Sequence, residues 1–207
     1  MCIRDSNNTV AGITSTLDTV DGALECMDDT EDLREVMKVC VDRCYSMSRF
    51  ITNFANVVKI PEPQLQLVSL NDRVAACKMF METVCRNRNI TLHLTLCDEN
   101  PHVRMDTSLF EQVLVNIIKN AAESIGEEGN IFIRTSVFPT MLEIADTGAG
   151  ISKEVEAKLF SPFFSTKPNG QGIGLIFIRE VLMKHGCTFS LRTYSDGLTR
   201  FRIRFSA

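Results

Sequence analysis

Two asparagines stand four residues apart in the segment FEQVLVNIIKNAAESI. On a helix, Gln112, Asn116, Asn120 and Glu123 fall on one stripe, while Phe110, Val113, Leu114, Ile117, Ile118 and Ala121 fill the other side. Asparagine is a poor helix former because its amide competes with the backbone, so a mid-helix pair needs a reason. A carboxamide oxygen is a suitable hard ligand for magnesium. From this helix alone a solvated polar face accounts for the pattern equally well. A second segment, MLEIADTGAGI, reads as a strand running into a glycine turn. Alternation puts Asp146 on the face of Leu142 and Ile144, so its carboxylate is partly buried at the strand end and needs a donor. An exocyclic amine such as that of adenine meets this need, and so does a local cap on the Thr147–Gly148 turn.

A third segment, NGQGIGL, places Gly170, Gly172 and Gly174 directly before an apolar helix. Glycines let a backbone approach phosphate, and a helix start offers unpaired amide hydrogens and a favourable dipole. The match to a dinucleotide fingerprint is superficial, because no parallel β-α-β unit follows, and the absence of a G-x-x-x-x-G-K-[ST] run excludes a P-loop. Between Gly150 and Gly170 lies a long connection with Pro162, Pro168 and three phenylalanines, the kind of loop that acts as a lid.

These residues need a scaffold. The chain has 207 residues, 44% of them apolar, and a net charge of -4. That length accommodates one mid-sized domain or a compact domain with an appendage. The acidic balance argues against a protein that works chiefly by neutralising nucleic-acid phosphates, and no apolar run is long enough for a membrane span. The eight cysteines lack paired spacing and read as reduced, cytosolic thiols, with Cys40 and Cys44 as small core residues rather than a metal pair.

Ile13, Leu17, Val20, Leu24 and Met27 recur at 4-3-4-3 spacing, and a second stripe runs from Leu33 to Val58. A two-helix hairpin cannot cover both stripes, so pairing with a second copy into a four-helix bundle is expected. Pro61 and Pro63 end the second helix. Residues 1–60 therefore form a helical hairpin and 65–207 a second domain. In the latter, helices are expected near 71–87, 107–125 and 175–184. Strands are expected at 90–96, 131–137, 141–145, 187–193 and 198–205. The class is α+β, a mixed and mostly antiparallel sheet with helices on one face.

Together the three segments supply a metal ligand, a base acceptor and a phosphate cradle, and their order resembles the GHKL ATP-binding fold. NIIKNA is similar to its N box, Asp146 with Gly148 and Gly150 to its first glycine box, LFSPFFSTK to its F box, and Gly170, Gly172 and Gly174 to its second glycine box. Within that superfamily the chain resembles the catalytic domain of sensor histidine kinases of two-component systems, preceded by their dimerisation and phosphotransfer hairpin. The resemblance implies ATP and Mg2+ as ligands, with Asn120 on the metal, Asn116 on the phosphates and Asp146 on the adenine amine. Gly148 and Gly150 would shape the adenine pocket. Thr166, Lys167 and the amides of Gly170, Gly172 and Gly174 would face the phosphates, and Phe160, Phe163 and Phe164 would anchor the lid. It also implies a cytoplasmic homodimer that passes the phosphoryl group to a response regulator.

Two departures carry weight. The hydrolysing branches of the superfamily place a glutamate one turn before the metal-binding asparagine, where this chain has Asn116. An amide takes no proton from water, which favours phosphoryl transfer over hydrolysis. The family's acceptor histidine aligns with Arg4, which is permanently protonated and accepts no phosphate. His93, His102 and His185 have ordinary structural readings. Truncation or a junction upstream is the expectation, and a binding-only or phosphatase scaffold and a GHKL ATPase are the alternatives.

Overall fold

The computed structural model describes residues 3–24, 31–58, 60–161, 164–166 and 172–206, without the side chains of 3–7, 23, 31, 32, 49, 50 and 53–58. The chain divides into two compact units, Met1–Ile60 and Pro61–Ala207.

The first unit is two helices, α1 (Ile3–Leu24) and α2 (Glu31–Val58). The single expected seam on α1 resolves into two. Val10 and Thr14 are buried and Leu17 half-buried, whereas Ile13 and Val20 are exposed at 48% and 42%. On α2, Arg34, Met37, Val41, Cys44 and Ser48 are the half-buried row, and Arg34 Nε lies 3.3 Å from Asp21 Oδ1 on α1. Leu33, Val36 and Met47 form an apolar row left open to solvent. Cys40 is exposed and Cys44 half-buried, which corrects the expectation that both are core residues.

The second unit begins with β1 (Gln66–Ser69) and α3 (Leu70–Arg86), whose first turn is capped by Ser69 Oγ accepting the Asp72 amide at 3.1 Å. Next come β2 (Ile90–Thr95), β3 (His102–Met105) and α4 (Thr107–Ile125). Asp106 caps α4 through the Leu109 amide, and Gly126 ends it at φ +81°. The rest is β4 (Gly129–Val137), β5 (Thr140–Asp146), the short α5 (Lys153–Glu156), α6 (Gly174–Lys184), β6 (Thr188–Thr193) and β7 (Thr199–Arg204). β1 pairs with β3 in a two-stranded antiparallel ribbon. The main sheet has the order β2-β4-β5-β7-β6, with β2 and β4 parallel and every other pair antiparallel.

The three long helices cover one face of this sheet. Ile131, Ile133, Leu142, Ile144, Phe201 and Ile203 point to them, and Phe110, Leu114, Ile118, Ile178 and Leu182 reply from α4 and α6. The open face carries charge instead. Glu143 Oε2 accepts Arg202 Nε at 2.7 Å, and Arg134 and Arg200 approach the same carboxylate. The alternating arginines of β7 thus occupy the solvated face, as their spacing implies. Both β1 and β3 escape a periodicity reading because four residues are too few to establish alternation, and pairing with each other stabilises them.

Phe110 has no exposed surface and its ring lies 5.6 Å from that of Phe205. Phe110→Ala is expected to cost about 3–5 kcal/mol, read as a lower urea midpoint with an unchanged denaturant slope.

Candidate functional site

α4 is two-sided. Its apolar positions are buried, while Asn116, Asn120 and Glu123 remain half-buried along one edge. The Asn116 amide nitrogen donates to Gln112 O at 2.8 Å, which turns Oδ1 away from its own helix. That oxygen looks onto the start of α6: a Cβ on Gly174 would stand 3.8 Å from Asn116 Oδ1 and 4.0 Å from Asn120 Nδ2. The sequence spacing put the two amides on one face, and folding brings the second glycine segment over them. Gly172 just before it adopts φ +63°, a backbone state that side chains disfavour. No side chain caps the first turn of α6, so its amide hydrogens stay available for an anion.

Asp146 lies near the C-terminal end of α4, two residues before the glycine that packs on Ser124. It ends β5 with 6% of its surface exposed, and the Gly148 amide donates to its Oδ1 at 2.9 Å. The local cap and the buried acceptor were alternatives in sequence; the fold combines them, because one oxygen serves the turn and the other remains. Burial pushes the carboxyl up to about 6 from an ordinary 3.8, with the Gly148 amide pulling the other way.

The glycine turn after Asp146 is fastened on three sides. Gly148 lies so close to α4 that an added Cβ would overlap Ser124 Oγ and stand 2.8 Å from the Ser124 carbonyl carbon. The Ala149 amide donates to Ser124 O at 3.3 Å, and the Thr147 amide to Asn130 O at 3.2 Å. Gly150 sits at φ +81° with Thr193 beside it, and the Ile151 amide donates to Thr193 Oγ1 at 2.7 Å. Thr193 in turn hydrogen-bonds Thr199 Oγ1 at 2.9 Å, and Thr199 is the cross-strand partner of Asp146. Partners across a ladder share a face, so the buried Thr199 hydroxyl flanks the carboxylate. Ser124, Thr193 and Thr199 were not among the expected site residues. Thr199 had one signal, its alternation with Phe201, Ile203 and Phe205 on the inward face, while Ser124 and Thr193 had none.

The connection expected to act as a lid is held at Phe160. The Phe160 ring meets Phe189 edge-on with 5.2 Å between centroids, and Arg179 on α6 donates to Phe160 O at 3.0 Å. Phe164 is half-buried and Thr166 exposed. Phe163, Lys167 and Gly170 lie outside the described residues, so their expected roles have no structural counterpart here. The Arg4 position lies within α1. The histidines are structural: His93 Nε2 meets Asn130 Oδ1 at 2.8 Å, His102 is exposed on β3, and His185 caps α6. Among the described residues no group of His, Cys, Asp and Glu forms a metal cluster.

Residues 105–207 match the model of the histidine kinase-, DNA gyrase B-, and HSP90-like ATPase family. Over 165 residues the chain is 29% identical to the sensor histidine kinase ZraS of Escherichia coli (strain K12), covering 79% of this chain and 35% of that one. Residues 105–207 belong to that ATPase family, and the chain as a whole is similar to sensor histidine kinases. The catalytic domain of the histidine kinase ThkA superimposes with a TM-score of 0.63 at 28% identity, over 69% of this chain and 95% of that one. ThkA in complex with the response regulator protein TrrA has the same fold, with a TM-score of 0.67 at 23% identity over 99% of this chain and 59% of that one. The chain spans about a third of the length of the curated relatives it matches. Among its described residues no helix is long and apolar enough to cross a membrane.

Two outcomes follow from this geometry. Gly148→Ala forces the turn off α4 and is expected to cost about 1–3 kcal/mol, with faster exchange of the Ala149 amide. Asp146 has a folded-state pKa above its unfolded value, so the folded protein binds the extra proton between about pH 4 and 6 and loses stability as pH rises through that window. Asp146→Asn retains an oxygen for the Gly148 amide and removes the buried charge. It is expected to raise the unfolding free energy at pH 8 by up to about 3 kcal/mol, a gain that shrinks to nothing near pH 4.

Proposed function

We propose that this chain binds Mg-ATP and transfers its γ-phosphoryl group to a histidine, from which the group passes to an aspartate of a response-regulator receiver domain. The observation that carries the reading is the placement of Gly174 over Asn116 and Asn120, with a buried carboxylate at the turn that packs on Ser124 of the same helix; the nucleotide crevice of this reading runs between the two. Asp146 accepts the adenine amine while Thr199 supports its orientation. Gly148 and Gly150 keep the turn thin enough for a planar base to lie against it. Asn120 holds Mg2+ through its carboxamide oxygen, and Asn116 contacts the phosphates, helped by the α6 amides and by Thr166 and Lys167. The ion supplies charge neutralisation across the phosphates. The residues present fit it, because the donors are neutral oxygens beside a helix start that attracts anions.

In the transfer, a histidine nitrogen forms the N–P bond as the bond from the γ-phosphorus to the β–γ bridging oxygen breaks. ADP leaves, and the imidazole proton is released to solvent. The protein contributes position and charge, since the reaction passes through a loose, in-line transition state. No carboxylate stands at position 116 to activate water, so the phosphoryl group is kept for another acceptor. With Arg4 at the acceptor position, the acceptor for this chain is an added hairpin that carries histidine.

The hairpin unit supports a homodimer. Ile13, Val20, Leu33, Val36 and Met47 present apolar surface that two helices cannot cover, and a second copy buries it in a four-helix bundle. The response regulator as partner is supported by the ThkA–TrrA complex, which shares this fold. Use of ATP places both steps on the cytoplasmic side.

Calorimetric titration with a non-hydrolysable ATP analogue and magnesium tests the reading. Micromolar-range binding is expected at pH 8, weakened at least about tenfold by Asp146→Asn and falling for the parent as pH drops through 6, because the protonated carboxyl is a poorer acceptor. No binding to folded protein would sink the proposal. With binding in hand, labelled phosphate should move to an added histidine-bearing hairpin and fail to do so in Asn120→Asp. Steady phosphate release without any acceptor would instead make the chain an ATPase.

A further inference from the structure

Outside the crevice, one polar arrangement joins both of its helices at their far ends. α4 and α6 lie antiparallel: Gly174 at the start of α6 faces Asn116 and Asn120, while His185 at the end of α6 meets the start of α4. The Asp106 amide donates to His185 Nε2 at 3.0 Å, and His185 Nδ1 donates to Val181 O at 2.7 Å. His185 is buried, so this contact is shielded from water and holds the ring in one tautomer. The Asp106 carboxylate serves two masters, Oδ1 accepting the Leu109 amide at 3.1 Å and Oδ2 the Gln64 amide at 2.9 Å. These amides, Gln64 first, hold it below the usual carboxylate range.

Gln64 belongs to the segment through which the chain enters the ATPase unit. The same segment is held on the other helix. Lys184, in the last turn of α6, donates from Nζ to Glu62 Oε1 at 2.7 Å and to Pro61 O at 3.5 Å. Pro61 and Pro63 stiffen the strap by restricting the backbone at each end of it. Four residues therefore bridge the start of α4 and the end of α6, about 15–21 Å along α4 from the asparagines and about 15 Å along α6 from Gly174.

We infer that Asp106 and Lys184 are positioning residues: by gripping Pro61–Gln64 they set α4 against α6, so occupancy of the nucleotide crevice and the state of the entering segment are coupled. The inference rests on the nucleotide reading above and adds a route to it. Both helices are packed against the sheet along their apolar sides, so they respond to a pull at one end by shifting as rods rather than by bending locally. The strap is also the covalent path by which any displacement of the hairpin unit reaches the crevice. By linkage the effect is reciprocal, and a nucleotide that draws Gly174 towards Asn116 and Asn120 tightens the strap.

Amide exchange in the full chain, followed residue by residue by NMR with and without saturating magnesium and ADP, tests this. The Gln64 amide is expected to slow at least about threefold when ADP binds, while the Cys97 amide, tied to Thr135 outside the helix pair, keeps its rate. Lys184→Met, which leaves α6 its apolar contacts, is expected to weaken ADP binding about two- to fivefold and to speed exchange of the Phe177 amide in the first turn of α6. Gln64→Pro deletes the hydrogen donated to Asp106 and is expected to weaken ADP binding similarly. If Gln64 exchange ignores ADP and both variants bind ADP as the parent does, the coupling is overturned. If the parent binds no ADP, the nucleotide reading falls and the coupling with it; binding without a response removes the coupling alone.

Discussion

A carboxylate buried at the end of a strand is an unfavourable group, and the ATPase unit is arranged around keeping one there. Asp146 loses hydration on folding and regains part of it from a single amide, that of Gly148. That amide is in place because the turn is pressed onto Ser124 of α4, and the turn reaches Ser124 because residue 148 has no side chain. Thr199 and Thr193 complete the enclosure from the neighbouring strands. A buried polar group held short of satisfaction costs free energy until a further donor reaches it.

The second constraint is the two-sided character of α4. Its apolar half buries Phe110, Leu114 and Ile118 against the sheet, so the helix cannot rotate, and this immobility lets a line of asparagines on its edge serve as a rigid comb. α6 meets that comb at one end with a glycine, where an added Cβ would stand 3.8 Å from Asn116 Oδ1. At the other end the two helices meet through Asp106 and His185, so the pair is secured at both extremities and its middle is packed. Sites carried on such elements hold their geometry.

Motif and period made much of this legible. The long helices and the five strands of the main sheet appear within a residue or two of the expected positions, because each has enough residues to display its period. β1, β3 and α5 were too short for that. The hairpin shows the opposite limit: Ile13 and Leu17 read as one stripe in sequence, yet burial separates them, since a stripe says that a surface is apolar and not which neighbour covers it. Cys40 was misplaced for the same reason.

By itself the sequence determined the element types, the sign and solvation of each face, and the chemistry available from Asn116, Asn120, Asp146 and the glycines. Those properties are local, being set by side-chain type and by spacing along one element. Only the tertiary structure decided that Gly174 faces Asn116 and Asn120, that Gly148 touches Ser124, that Thr199 lies beside Asp146, and that Gln64 and Lys184 tie the entering segment to both helices. Each of these joins residues far apart in the chain, and their juxtaposition depends on strand order and helix packing, which no local period encodes.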